Sequence, residues 1–225
     1  MRIFDQLVQR LEHLDEIVPK DRHVLVGLAG IPGGGKSTIS HTLKESTTLS
    51  LQIVPMDGFH FSKEFLRGSK DPSMMFARRG APFTFDSEKF VELVANIRNQ
   101  EYSKTQPEEV ILAPAFDHQI GDPIDDAIKI KSTTRFIIIE GNYVLLNEQP
   151  WSEIRSLCDE MWMVVVAPEE VEMRLAKRHV AAGIEPTIEK GRLRAQQNDI
   201  INGRYIYEHS FEPDFVIDNS RVDLF

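Results

Sequence analysis

The residues best spaced for chemistry run from Gly30 to Thr38: Gly-Ile-Pro-Gly-Gly-Gly-Lys-Ser-Thr. Gly30, Gly35, Lys36 and Ser37 fit Gly-x-x-x-x-Gly-Lys-Ser, and Ile31, Pro32, Gly33, Gly34 and Thr38 complete the same loop. Glycines there let successive backbone N–H groups turn inward around phosphate oxygens, while a helix starting near Lys36 turns its positive end to the same anion. The lysine of such a loop reaches the β and γ phosphates and the serine hydroxyl ligates Mg²⁺. A nucleoside triphosphate is the ligand this predicts. Asp57 follows the apolar run "LQIVPM" and Glu140 ends "RFIIIE", as the glycine loop follows "HVLVGLA". Ligand-binding groups of open α/β sheets collect at the carboxyl ends of strands, so all three are expected on one rim. One carboxylate beside Mg²⁺ and another beside an acceptor hydroxyl is the pair that phosphoryl transfer to an alcohol uses.

The elements that must position these residues follow from periodicity. Phe4, Leu7, Leu11, Leu14 and Val18 share one face of a helix over residues 1–18, whose mixed-charge polar face predicts packing on the domain surface. "HVLVGLA", "LQIVPM", "RFIIIE", "EMWMVVVA" and "DFVID" read as strands, and "STISHTLKE" and "DSEKFVELVANIRNQ" as helices, the latter capped by Asp86 or Ser87. "EEVILAP" and "AIKIKS" are strands either of the sheet or of a side hairpin. Ser62 to Phe85 has no clean period and carries Gly68, Pro72, Gly80 and Pro82, which predicts an irregular excursion over the sheet, on the substrate side at 58–85. Pro168, Glu169 and Glu170 suit a helix start, and Gly183 its end. "AQQNDIINGRYI" is expected to be helical in its first part. Strands alternating with helices predict one α/β domain over 1–225, with a mostly parallel sheet covered on both faces, the architecture of a P-loop NTPase.

Composition narrows the partners. With 225 residues the chain suits a single core, and 35 acidic against 26 basic residues give a net charge of -9, a field that repels a nucleic-acid backbone. Cys158 is the sole cysteine. It allows no internal disulfide or cysteine metal site, and is expected to be a buried, inert thiol in a reducing compartment. The N-terminal stretch is broken by charges, with neither a signal-peptide core nor a spanning run, so a cytoplasmic chain without a membrane anchor is expected, a nuclear pool being left open.

Five blocks taken together carry a family resemblance: Gly30 to Ser37, "MDGFH" at 56–60, "RRGAPFTFD" at 78–86, "PAFDHQIGDP" at 114–123 and "EGNYVLL" at 140–146. In this order they resemble the uridine kinase, phosphoribulokinase and pantothenate kinase superfamily, from about His23 to Asp218, and most of all its small ATP-dependent members labelled uridine kinase-like or fructose-transport-kinase-like. The resemblance implies ATP and Mg²⁺ as cofactors and a small-molecule hydroxyl acceptor. It makes Asp57 the base for that hydroxyl and Glu140, with Ser37, the metal-side ligand, directly or through water. His60, Asp117, His118, Asn142 and Tyr143 fall on the substrate side, and Arg79, with Arg78, could bind an anionic substrate. Arg174 and Arg178, four apart on one helix face, match a basic lid helix at about 174–195 that clamps the transferring phosphoryl group with Lys36; Lys177 and His179 are lesser candidates. The block "DGFH" departs from the Asp-Ser-Phe-Tyr of uridine kinases and is closer to pantothenate kinases, whose full substrate region this chain lacks. The acceptor therefore stays open among a nucleoside, a pantothenate-like alcohol and a sugar-like alcohol, as does assembly into a homo-oligomer. The rival expectation is a nucleotide-driven regulatory ATPase or switch with no small acceptor, for which Asp57, His60, Asp117 and His118 would have no clear work.

Overall fold

The computed structural model describes residues 3–104 and 108–220, so the first two and last five positions of the expected domain lie outside the described residues. Strands β1 (Val24–Gly30), β2 (Leu51–Pro55), β3 (Val110–Asp117), β4 (Asp122–Lys131), β5 (Phe136–Gly141), β6 (Glu160–Val165) and β7 (Phe215–Asp218) alternate with helices. The helices are α1 (Ile3–Ile17), α2 (Lys36–Ser46), α3 (Lys63–Gly68), α4 (Pro72–Ala77), α5 (Ser87–Asn99), α6 (Ile154–Leu157), α7 (Pro168–Ala181), α8 (Ile188–Arg194) and α9 (Ile200–His209). Five strands form one sheet in the order β2-β5-β1-β6-β7, every neighbouring pair parallel. This is the α/β fold predicted from the alternation of strands and helices.

The period of two along the central strands sorts their side chains between two cores. Val24, Val26 and Leu28 of β1, with Phe136 and Ile138 of β5, pack under Leu7, Leu11 and Leu14 of α1 and Ile39 and Leu43 of α2. Leu25 and Ala29, with Ile137 and Ile139, face the opposite core, filled by Phe90, Val94 and Ile97 of α5 and Leu175 of α7. Every residue of β1 and β5 is buried, which explains why both read as unbroken apolar runs. The N-terminal helix thus packs on the domain, as its mixed polar face predicts. Cys158 is buried, and burial pushes its thiol up to about 12, which keeps it protonated and unreactive.

Three segments differ from expectation or settle what the pattern leaves open. The 62–85 excursion holds two six-residue helices rather than irregular chain: Ser62 Oγ accepts from Phe65 N at 3.1 Å, and Asp71 Oδ1 accepts from Met74 N at 3.0 Å. Helices under two turns are set by their caps and leave no periodic trace. The excursion closes at its base through Phe61 N to Thr84 O and Asp86 N to Phe59 O, and Asp86 caps α5. The β3–β4 pair is a side hairpin, antiparallel and apart from the main sheet. Finally, α8 runs through a π-helical turn at Ala195–Asp199 into α9, which continues to His209. Gly203 does not break that helix; its missing side chain lets α9 approach Ile31, whose Cβ would lie 3.3 Å from an added Cβ. Helix α7 starts at Pro168 and gives way to Gly183 in the left-handed region, φ 68°, as expected, while the expectation for Glu169 lies outside the described side chains.

Candidate functional site

Because the five strands run the same way, their carboxyl ends bring chain-distant residues onto one rim. There β1 feeds the glycine loop, β2 leads into the 3₁₀ turn Met56–Phe59 that carries Asp57, β5 delivers Glu140 and Asn142, and β7 delivers Asn219. Pro55 of β2 and Leu28 of β1 flank Glu140 in the sheet register.

The loop geometry is that of an anion cradle. Gly35 sits at φ 94°, a conformation that opposes any side chain, and an added Cβ would lie 2.4 Å from Asn219 Nδ2. That amide donates to Gly34 O at 2.7 Å, tying the loop to the end of β7. Lys36 is buried and its Nζ donates to Gly30 O (2.9 Å), Ile31 O (3.1 Å) and Asn142 Oδ1 (2.6 Å). Burial pushes its ammonium down to about 8; the carboxylates of Glu140 and Asp57 oppose that shift, and Arg178 adds to it. All four groups therefore share one electrostatic field.

Glu140 is only 6% exposed, and both its oxygens accept hydroxyl protons: Oε1 from Ser37 Oγ at 2.5 Å and Oε2 from Ser40 Oγ at 2.7 Å. A serine hydroxyl paired with a carboxylate is a hard-oxygen donor set, and Mg²⁺ is bound by one or two such groups plus substrate phosphates, so these residues fit that ion.

Beside the Asp57 turn, the His60 ring lies against Phe85 (centroids 4.0 Å) and Phe116 (4.8 Å), and its Nδ1–H donates to Asp57 O at 2.8 Å. Burial holds His60 below its ordinary value, so the ring is neutral at pH 7 with Nε2 left as an acceptor. Asn142 follows β5 and points its amide oxygen at Lys36. Tyr143 is fully buried, donates to Gly80 O at 2.6 Å, and burial raises its phenol, so it fixes the excursion as a neutral donor. Asp117 Oδ1 accepts from Gln119 N (2.7 Å) and Ile120 N (3.2 Å), shaping the hairpin turn, while His118 is exposed and packs edge-on against Phe116. Phe116, Asp117 and His118 line an open hollow of about 490 Å³.

The two arginines of the excursion part ways. Arg79 donates to Gly121 O (2.6 Å), Phe61 O (3.1 Å) and the Asp122 carboxylate (2.8 Å), clamping excursion to hairpin. Arg78 donates to Asn198 Oδ1 (3.0 Å) and Asn202 Oδ1 (2.9 Å), which ties the excursion to the π turn and α9. On α7, Arg174 lies over the glycine loop, 3.9 Å from where a Gly35 Cβ would be, and pairs with Glu170 at 2.6 Å. Arg178 is exposed one turn on. His179 is engaged elsewhere, its buried Nε2–H donating to Asp199 at 2.9 Å. Sequence reading missed Ser40, Asn198, Asn202 and Asn219. Only Ser40 left a signal, lying three residues after Ser37 and so on the same helix face.

The chain is similar over most of its length to several proteins named as kinases. No family model matches the chain. A Schizosaccharomyces pombe protein provisionally named uridine kinase is 36% identical over 224 residues, covering 97% of this chain and 92% of that protein. A solved structure, provisionally a fructose transport system kinase from Silicibacter sp. TM1040, superposes with a TM-score of 0.82 at 30% identity over 96% of this chain and 100% of that one. The ATP-dependent kinase YFH7 of Saccharomyces cerevisiae is 34% identical over 194 residues, 74% of this chain but only 54% of that sequence. Its crystal structure, described as a P-loop kinase with a circular permutation, superposes with a TM-score of 0.84 at 25% identity, over 97% of this chain and 99% of that one.

Proposed function

The chain belongs to the uridine kinase-like, ATP-dependent P-loop kinases, and from that premise we propose that it transfers the γ-phosphoryl group of ATP to a hydroxyl of a small metabolite: a nucleoside, or a pantothenate-like or sugar-like alcohol. The observation that carries this reading is the convergence of two bonded pairs, Lys36 with Asn142 and Ser37 with Glu140, with the Glu140 carboxylate acting on Lys36 and the Asp57 carboxylate close enough to act on both Lys36 and His60.

In this reading the glycine-loop amides and the N-terminus of α2 hold the triphosphate. Nucleotide phosphates draw Lys36 Nζ from its two loop carbonyls, and the lysine, with Arg174 and Arg178 of the lid, stabilises charge spread over the transferring group. Asp57 orients the acceptor hydroxyl and takes its proton. His60, Asn142, Tyr143, Asp117 and His118 frame the acceptor, and Arg79 keeps the hairpin hollow in place beside it. Ser37 and Glu140, directly or through water, would hold Mg²⁺, which when bound would supply charge neutralisation to the triphosphate.

The test measures ADP release with Mg²⁺ and ATP against uridine, cytidine, nicotinamide riboside, pantothenate and a set of sugars, for wild type and Asp57→Asn. One acceptor should raise release well above the water background, and Asp57→Asn should cut that rise by about 10²-fold or more, the range for loss of a general base. Slow hydrolysis that no acceptor stimulates and that persists equally in the variant would instead favour the regulatory ATPase.

A further inference from the structure

We propose that Ser40 is a positioning residue for the metal-side carboxylate, setting the Mg²⁺ affinity of the nucleotide complex through Glu140. This rests on the reading of the glycine loop as a Mg²⁺–nucleotide site. Ser40 has no exposed surface, and its hydroxyl is near two acceptors, Glu140 Oε2 at 2.7 Å and Ser37 O at 3.1 Å. A hydroxyl has one proton, and the charged, closer carboxylate oxygen takes it. Ser37, one helical turn earlier, donates to the other oxygen at 2.5 Å. Two hydroxyls from one helix face thus fix the plane of a carboxylate that comes from β5, a hundred residues away in the chain.

The division of labour follows from what each oxygen can do. Oε2 is committed to a fully buried donor, while Oε1 is turned to Ser37, the hydroxyl that the loop motif assigns to the metal. Ser37 Oγ can offer a lone pair to the ion and keep its proton on Oε1. Without Ser40, Oε2 would be a buried oxygen lacking its donor, so the carboxylate would be free to rotate, and that rotation spoils the pairing with Ser37. The loop amides that hold the phosphates do not depend on Ser40, so the loss should fall on the metal and spare the nucleotide. Partners that orient metal-binding groups typically contribute about 10–100-fold in metal affinity.

The test is calorimetric binding of a non-hydrolysable ATP analogue, in EDTA and at increasing Mg²⁺, to wild type, Ser40→Ala, Glu140→Ala and the double variant, with circular dichroism to check folding. Ser40→Ala should bind the analogue in EDTA within about twofold of wild type while needing about tenfold or more Mg²⁺ for half-saturation. In the Glu140→Ala background, Ser40→Ala should add nothing further, because it acts through that carboxylate. An unchanged Mg²⁺ requirement, an equal weakening with and without metal, or an additive double variant would each overturn the proposal. If wild type fails to bind the analogue at all, the kinase reading falls together with it, whereas metal-dependent binding without any acceptor phosphorylation would sink the kinase reading alone.

Discussion

At the scale of single residues, Lys36 offers a direct check on the site. Its ammonium sits near 8 in the free protein because burial outweighs the neighbouring carboxylates, and bound phosphates favour the charged form. Nucleotide binding at pH 8 should therefore take up about half a proton per site, seen as a dependence of calorimetric enthalpy on buffer ionisation. Lys36→Met should bind more weakly and abolish the uptake. The neighbouring arginines show why residue type alone does not assign a role. Arg78 and Arg79 are adjacent, yet Arg79 is neutralised by Asp122 while Arg78 is held by two amides. Arg79→Met should cost about 2–4 kcal/mol of stability in denaturant melts, since it strips a largely buried carboxylate and two carbonyls of their donor.

At the scale of elements, turns and helices each carry a separate load. Gly35→Ala forces a side chain into a left-handed position against Asn219, so it should weaken nucleotide binding at least tenfold while leaving the secondary structure intact by circular dichroism. Helix α1 is a covering element, with Leu7 and Leu11 fully buried over β1 and β5. Leu11→Ala should cost about 2–5 kcal/mol in the same melts and leave nucleotide affinity unchanged where the variant is folded. Indifference of stability to this change would show that α1 does not pack as described. The π turn at Ala195–Asp199 has a positional reason: it places Asn198 against Arg78 and Arg79 O, and Asp199 against His179 of α7, so one turn joins α7 and the excursion. An extra residue in a helical turn rotates the side chains that follow, which is a common use of such bulges near sites.

For the whole molecule, acid sensitivity follows from its buried histidines. Burial lowers the pKa of both His23 and His60 from 6.5, while the unfolded chain keeps the ordinary value. As pH falls below 6.5 the unfolded state binds more protons than the native one, so their stabilising contribution, full above 6.5, is lost as pH falls through the folded values. Melting temperature should drop between pH 7 and pH 5, and His23→Gln should make that drop shallower. The sequence by itself determined the glycine loop, the five strands of the main sheet with helices α1, α2, α5 and α7, and the carboxylates at the ends of apolar runs. Each of these is a local pattern, because a motif, a period of two and a strand end are all written in neighbouring residues. Only the tertiary structure decided that β3 and β4 leave the main sheet, that Arg79 clamps the hairpin, that Ser40 holds Glu140 and that Asn219 supports the loop. The last two roles depend on partners 100 and 185 residues away, Glu140 for Ser40 and Gly34 for Asn219. A hydroxyl or an amide carries no mark of which distant group the parallel sheet will bring to it.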